Sequence, residues 1–478
     1  MSKLPAPQLL HNIHTLEQCE VGLVRARLTA PAHLDELTVR ALREVACLAK
    51  LHVISAPKGE EIDVQELTAP LREETLKLFS VVGLTRRDFL DVAFDKLRTI
   101  TAILRPIARL AWNRLKAALG ARLPLQALQR EVHQKSFVLT LGGGGGSGHI
   151  YLGALDLLAR RGLTPALLSG TSVGALYGLF RARQTVWSTE ESLAILRAFS
   201  FQQLFGVPAI DPTFGLPAAV RLCLRESVAP FFSADPDAPS IPLSAFAVPI
   251  VFAASGIRAG ALPRPLRDYA RMVRGIDPTN PASVARAIPG VIGAFIELFQ
   301  ISERIDPIYF GLDRGTEHMD AIDAAGFSAA LPGALQYDVP SQSRGRHAAM
   351  VDLVKARELL RLCDGALVDN VPARGAFLAV QSGKIRTRNA CILALDCFAP
   401  RLTSPFLAMQ SLVLQQVNRS VGFAHCTHAF RRPPNPLDMF PNERALQNAL
   451  RRGAHELESK LPLVLALMAP LDPVETRD

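Results

Sequence analysis

No continuous apolar run opens the chain. In MSKLPAPQLLHNIHTLEQ the residues His11, Asn12, His14 and Glu17 interrupt the stretch that a secretory signal would need, so a cytoplasmic location is expected. No later segment is suited to cross a bilayer either. The most apolar one, AIPGVIGAFIELF at 287–299, is too short and carries Pro289, Gly290, Gly293 and Glu297. Paired cysteines are missing: Cys19, Cys47, Cys223, Cys363, Cys391, Cys397 and Cys426 are scattered, odd in number and without a CxxC spacing. That pattern speaks against a disulfide framework and a structural zinc, and no metal is expected. There is no repeat period and no low-complexity tract beyond the five glycines at 142–146. The net charge of +9 favours anionic surfaces, but no nucleic-acid-binding module accompanies it, so nucleic acid is not an expected partner.

What is present is enough for a large folded protein. With 478 residues, 49% apolar and 20% charged, the chain exceeds one ordinary core and is too apolar to be largely disordered. Residues 1–135 read as a mostly helical extension, because HLDELTVRALREVACLAKL and REETLKLFSVVGLTRRDFLDVAFDKL repeat their apolar residues at three and four. Further along, Ile100, Ile103, Leu104, Ile107, Ala111, Leu115 and Ala118 fall on one helical face, with Arg105, Arg109, Asn113 and Lys116 opposite and Pro106 as an interruption. Such a stripe is expected to pack on its neighbours, with membrane-surface contact as the alternative.

At Ser136 the pattern changes to alternating strands and helices. SFVLTL leads into GGGGGSG and the helical HIYLGALDLLARRG; PALLSG leads into TSVGALYGLFRARQ. This alternation builds a parallel sheet with crossover helices. AVPIVFAAS (247–255) and ACILALDCF (390–398) read as further buried strands. The intervening 185–350, rich in proline and apolar patches, reads as an irregular insertion, and 401–478 as a mostly helical segment packed on the 136–400 domain.

Three motifs carry chemistry. Gly170-Thr171-Ser172-Val173-Gly174 is a G-x-S-x-G turn between strand and helix, which would expose the Ser172 hydroxyl beside a helix N-terminus. The glycine run 142–148 offers unobstructed backbone N–H groups to an anion. No Lys-Ser or Lys-Thr follows it, excluding a Walker-type loop. Gly143, Gly145 and Gly148 satisfy G-x-G-x-x-G, yet no acidic residue closes a second strand where a ribose would need it. An oxyanion site explains both glycine motifs at once. The third motif, Asp364-Gly365-Ala366, supplies a carboxylate that can approach another loop closely and act as base if burial tunes it.

Together, GGGGSG (143–148), GTSVG (170–174) and DGA (364–366), with the flanks HIYLGALDLLARRGL and LVDNVPARGA, resemble the patatin-like phospholipases over residues 136–400. The resemblance implies a three-layer α/β/α fold with a mainly parallel central sheet. It further implies lipid acyl ester hydrolysis by a Ser172–Asp364 dyad, an oxyanion hole from Gly143, Gly144, Gly145 and Gly146, and supporting roles for Gly148, Gly170, Gly174, Gly365 and Ala366. No cofactor is implied. Lipid or phospholipid is the expected partner, with peripheral membrane association and an activating protein as further possibilities. Ser147 departs from the basic residue common at that place in the family. Two alternatives stand beside this reading. One is an α/β-hydrolase triad of Ser172, Asp364 or Asp396, and His425 or His428, with His149 also near the loop. The other is a non-catalytic lipid-binding or scaffold protein of the same fold.

Overall fold

The computed structural model describes residues 4–471 apart from 33, 57–58, 86–91, 121, 185, 233–239, 274, 277–279, 287, 403 and 405. Parts of the predicted insertion and of REETLKLFSVVGLTRRDFLDVAFDKL therefore lie outside the described residues. The chain divides into two compact units, one made of Met1–Phe137, Phe377–Leu393 and Lys460–Asp478, the other of Val138–Ala376 and Ala394–Ser459. The predicted C-terminal segment is thus shared out, with 394–459 grouped with the glycine loop and the helix Leu461–Met468 grouped with the N-terminal helices.

In the first unit the helices Pro7–Thr29, Glu36–Lys50, Gln65–Val81, Leu97–Leu119 and Leu125–His133 enclose a core that includes Leu16, Leu42, Phe79, Leu104 and Leu115. Asp35 starts the second of these by accepting the Thr38 N–H at 2.8 Å, satisfying one of the orphan donors of a helix start. The helix Leu97–Leu119 runs through Pro106 without a break, and its buried face is Leu97, Ile100, Thr101, Leu104, Ala111, Leu115 and Leu119. Ile103 and Ala118, expected on that face, are exposed, because the true seam is narrower than the periodic apolar set.

The second unit is built on a mixed, mostly parallel sheet flanked by helices, a three-layer α/β/α arrangement. The strands of this sheet are β1 (Ser136–Leu141, its first two residues grouped with the first unit), β2 (Leu167–Thr171), β3 (Ile250–Arg258), β4 (Ile305–Phe310), β5 (Leu359–Asp364), β6 (Ala390–Asp396, its first four residues grouped with the first unit) and β7 (Cys426–Ala429). Their order is β5-β3-β2-β1-β6-β7, with β4 on the other edge of β3. The strands expected at 136, 165, 247 and 390 are all present. The 185–350 segment is more regular than its proline content suggests. It supplies β3 and β4, the helices Thr189–Ala198, Ile288–Gln300 and Ala321–Ser328, and a small sheet of Phe205–Gly206, Ala218–Leu222 and Gly333–Gln336.

One feature of register positions the site. Strand β2 runs parallel to β3 and ends with Thr171 opposite Ala253, whereas β5 runs antiparallel and ends with Asp364 opposite Ala254. The two strands therefore meet end to end along one edge of β3. Ser172, one residue beyond β2, and Asp364, the last residue of β5, are brought together although 192 positions separate them in the sequence.

Candidate active site

Ser172 sits at the turn from β2 into the helix Val173–Arg183 with φ 55° and ψ −125°. A non-glycine residue in that region is strained, and the surrounding contacts hold it there. Gly174 comes so close to β1 that a Cβ would lie 2.1 Å from the Leu141 carbonyl oxygen. The motif's glycines thus let the turn press against the sheet. Ser172's own N–H donates to Ser328 Oγ at 3.0 Å, and Ser328 in turn donates to the Ala253 carbonyl at 2.6 Å. Ser328 comes from the insertion, and no sequence motif marked it.

Asp364 is buried, accepts a hydrogen bond from the Ala366 N–H at 2.8 Å, and lines the same cavity as Ser172. Burial pushes its carboxyl up to about 7, against the lowering influence of the Ala366 N–H and the nearby Ser172 hydroxyl. Its backbone is fixed as well: its N–H donates to Ala330 O at 2.9 Å and its carbonyl accepts from Ser255 Oγ at 2.7 Å. Gly365 permits the approach, since a Cβ there would meet the Ala253 oxygen at 2.4 Å.

The glycine loop lies alongside. The Gly143 N–H donates to Asn370 O at 3.0 Å and the Gly146 N–H to Pro436 O at 2.8 Å, so these two amides are already engaged within the fold. The N–H groups of Gly144 and Gly145 donate to no protein group among the described residues, and both glycines line the same cavity as Ser172. The four glycines of the loop therefore differ, and only the middle pair presents available donors. Gly148 packs its missing side chain against Val173, where a Cβ would come within 2.6 Å.

The peptide joining Gly143 to Gly144 is oriented by two buried side chains. The Gly143 carbonyl accepts from Asn370 Nδ2 at 3.5 Å and from Cys397 Sγ at 3.4 Å. Because C=O and N–H point in opposite directions across a planar peptide, holding this carbonyl also aims the Gly144 N–H. Asn370→Asp would set a carboxylate oxygen against the Gly143 carbonyl, whereas Cys397→Ser keeps a donor. Steady-state kinetics on a soluble ester are expected to show a fall in kcat of about 10²-fold for the first, with KM little changed, and a near-normal rate for the second.

Residues 434–440 form a wall that no motif announced. A Cβ on Gly145, which has φ +56°, would meet Pro436 O at 2.6 Å, and Ser147 donates its hydroxyl to Pro434 O at 2.8 Å. Ser147 is buried and does not line the cavity, so a small hydroxyl suits this position.

The cavity has a volume of about 770 Å³. Ser172, Asp364, Ala366, Asn370, Gly144 and Gly145 form its polar part. The remainder is apolar: Phe199, Phe201 and Phe205, then Val220, Leu222, Val291, Phe295 and Leu335, with Phe406, Met409, Val413 and Phe440. A second cavity, of about 660 Å³, is polar, but Arg225 pairs with Asp320 and Arg346 with Asp323 there.

None of the three histidines considered for a triad lines the cavity of Ser172. His149 is buried, with Nδ1 bonded to the Tyr177 hydroxyl at 2.9 Å and Nε2 to Met439 O at 3.3 Å, and burial lowers its pKa. His428 lies on edge strand β7, three strand positions from β2. At roughly 4.8 Å per strand that is about 14 Å across the sheet. Asp396 ends β6 and accepts the Phe398 N–H at 2.7 Å; it too lies outside the cavity lining.

These features define a class, an α/β/α protein with a serine on a strained strand-to-helix turn beside a buried carboxyl group. The family model of the patatin-like phospholipases matches residues 139–377, half of the chain, and the chain belongs to that family of lipid acyl hydrolases. No curated protein matches the sequence.

Proposed function

We propose that the protein hydrolyses carboxylic acyl esters of lipids, phospholipids included, with Ser172 as nucleophile and Asp364 as base. The observation that carries this reading is that Ser172 and the buried carboxyl of Asp364 are brought together at strand ends on β3 and share the head of a largely apolar cavity. In the acylation step the Ser172 oxygen attacks the ester carbonyl while Asp364 takes its proton. The C–O bond to the alcohol breaks, and the alcohol leaves with that proton. Water, deprotonated by Asp364, then attacks the acyl-serine; the fatty acid departs and Ser172 recovers its proton. The amides of Gly144 and Gly145 are the proposed oxyanion donors, a narrower set than the four glycines expected from the loop. Each such donor contributes about 3 kcal/mol to lowering the barrier. The phenylalanines and aliphatic side chains of the cavity suit an acyl chain, which loses water contact on binding.

The raised carboxyl of Asp364 gives the reaction a pH signature. Only the ionised form can accept the Ser172 proton, so kcat/KM on a soluble ester is expected to fall as pH drops, with a midpoint near 7. Asp369 and Asp396 are also raised by burial, to about 7 and about 6, but neither lines the cavity. A rate that is flat down to pH 5 would remove Asp364 from the role of base.

A further inference from the structure

The helix Leu97–Leu119 has no Asp or Glu and carries two distinct rows on the side away from its buried seam. Arg98, Arg105, Arg109 and Lys116 are all exposed and follow a spacing of seven, four and seven, which returns to one side of a helix. Beside them Ile103, Pro106, Leu110 and Ala117 are also exposed and form a ridge spaced by three, four and seven. Ile103 is 46% and Leu110 51% exposed, and Arg114 flanks the ridge on its far side. Arg98 pairs with Asp35 at 3.0 Å; Arg105, Arg109, Arg114 and Lys116 have no ion-pair partner among the described residues.

This arrangement is more than a solvated face. An ordinary exposed helix mixes charges of both signs and keeps its large apolar residues on the packed side. Here the packed side is already filled by Leu97, Ile100, Leu104, Ala111, Leu115 and Leu119. The second apolar ridge is therefore left over after the core is complete, and Arg105, Arg109, Arg114 and Lys116 around it have no acidic counterparts among the described residues.

We infer that this outer face of helix Leu97–Leu119 docks on an anionic phospholipid surface, with Ile103, Pro106 and Leu110 entering the interface and Arg105, Arg109, Arg114 and Lys116 meeting the headgroups. Charge complementarity selects the occupant, because cations on a helix without Asp or Glu, set around an apolar ridge, match a negatively charged interface with an apolar interior. Each cation brought to such a leaflet raises partitioning about fivefold, and the effect weakens with salt over a Debye length of about 8 Å at physiological ionic strength. The inference deepens the acyl hydrolase reading by naming the surface on which the enzyme would meet its substrate, but the docking itself needs no catalysis.

The experiment is co-sedimentation of the full chain with phosphatidylcholine vesicles, with and without phosphatidylserine, together with hydrolysis of a soluble short-chain ester. Wild type is expected to bind the phosphatidylserine vesicles in a salt-sensitive way. Binding should drop more than about a hundredfold when Arg105, Arg109 and Lys116 are each replaced by Glu, given about fivefold for each cation. Ile103→Asp with Leu110→Asp should also release the protein, and Gln in place of the three cations should give an intermediate loss. Soluble-ester hydrolysis should stay at the wild-type level in all of these exposed-site variants. Arg444→Glu with Arg451→Glu and Arg452→Glu controls for net charge, since all three side chains are exposed on another helix. Failure of wild type to bind, retention of binding in the triple Glu variant, or an equal loss in the control would each overturn the inference. If soluble-ester hydrolysis is absent from wild type, the catalytic reading fails while the vesicle result still decides the docking surface.

Discussion

Asp364→Asn is expected to lower kcat on a soluble ester by about 10⁴-fold or more, the scale seen when a nucleophile loses its activating partner. Asparagine has nearly the same volume and can still accept the Ala366 N–H, so the loop geometry should survive. What it lacks is an oxygen able to take the Ser172 proton. The variant should also remain folded, and the sign of the effect can be worked out. In the fold the Asp364 carboxyl is raised from 3.8 to about 7, so ionising it disfavours the folded state progressively as pH rises through that interval. The neutral amide has no such cost, and above pH 7 Asp364→Asn should melt no lower than wild type. Lost activity with retained stability separates a catalytic role from a structural one. His149→Ala, His425→Ala and His428→Ala should leave turnover within about tenfold, below the 10²–10⁴-fold loss of a general base. The reverse pattern would establish a histidine triad instead.

The second large effect concerns stability. Glu20 is fully buried in the N-terminal helices, 2.8 Å from Lys135, 3.2 Å from Arg43 and 3.6 Å from Lys50. Burial acts to raise its carboxyl, but the three cations outweigh that and hold it well below the usual carboxylate range. The cations have further acceptors: Lys135 and Lys50 donate to Asn389 Oδ1 at 2.7 and 3.3 Å, and Arg43 donates to Ala466 O and Leu467 O. Those carbonyl and amide oxygens carry no charge. Glu20→Ala would leave three buried positive charges with, among the described residues, one remaining ion pair, Lys50 to Glu17 at 3.8 Å, and burial raises the Glu17 carboxyl to about 7. The expected cost is about 3–5 kcal/mol, a drop of about 10 °C in melting temperature for a unit of this size. Thermal melting of Glu20→Ala and Glu20→Gln beside wild type measures it, and an unchanged melting temperature would mean that the cluster adds nothing.

Much of this architecture was legible because it is written in local pattern. The strands at Ser136, Leu167, Ile250 and Ala390 are continuous apolar runs, and the turns at Gly142 and Gly170 declare themselves by glycine. The Ser172–Asp364 pairing could be expected from three linked motifs. Its cause, two strands meeting end to end on β3, could not be read, because strand order is a tertiary property. The same limit hid Ser328, Cys397 and the 434–440 wall, each of which acts on the site through contacts more than 150 positions away in sequence. Asn370 falls within the quoted LVDNVPARGA flank, but nothing local distinguishes it from a turn residue. Periodicity alone also misassigned Ile103, since an apolar residue recurs equally well on a second, unburied ridge.

The most direct test of the central claim is covalent labelling of the folded protein with a fluorophosphonate probe, followed by peptide mass spectrometry. One phosphonylated residue, Ser172, is expected, with labelling lost in Ser172→Ala and strongly slowed in Asp364→Asn. Labelling at a different serine, or none on folded wild type, would contradict the claim.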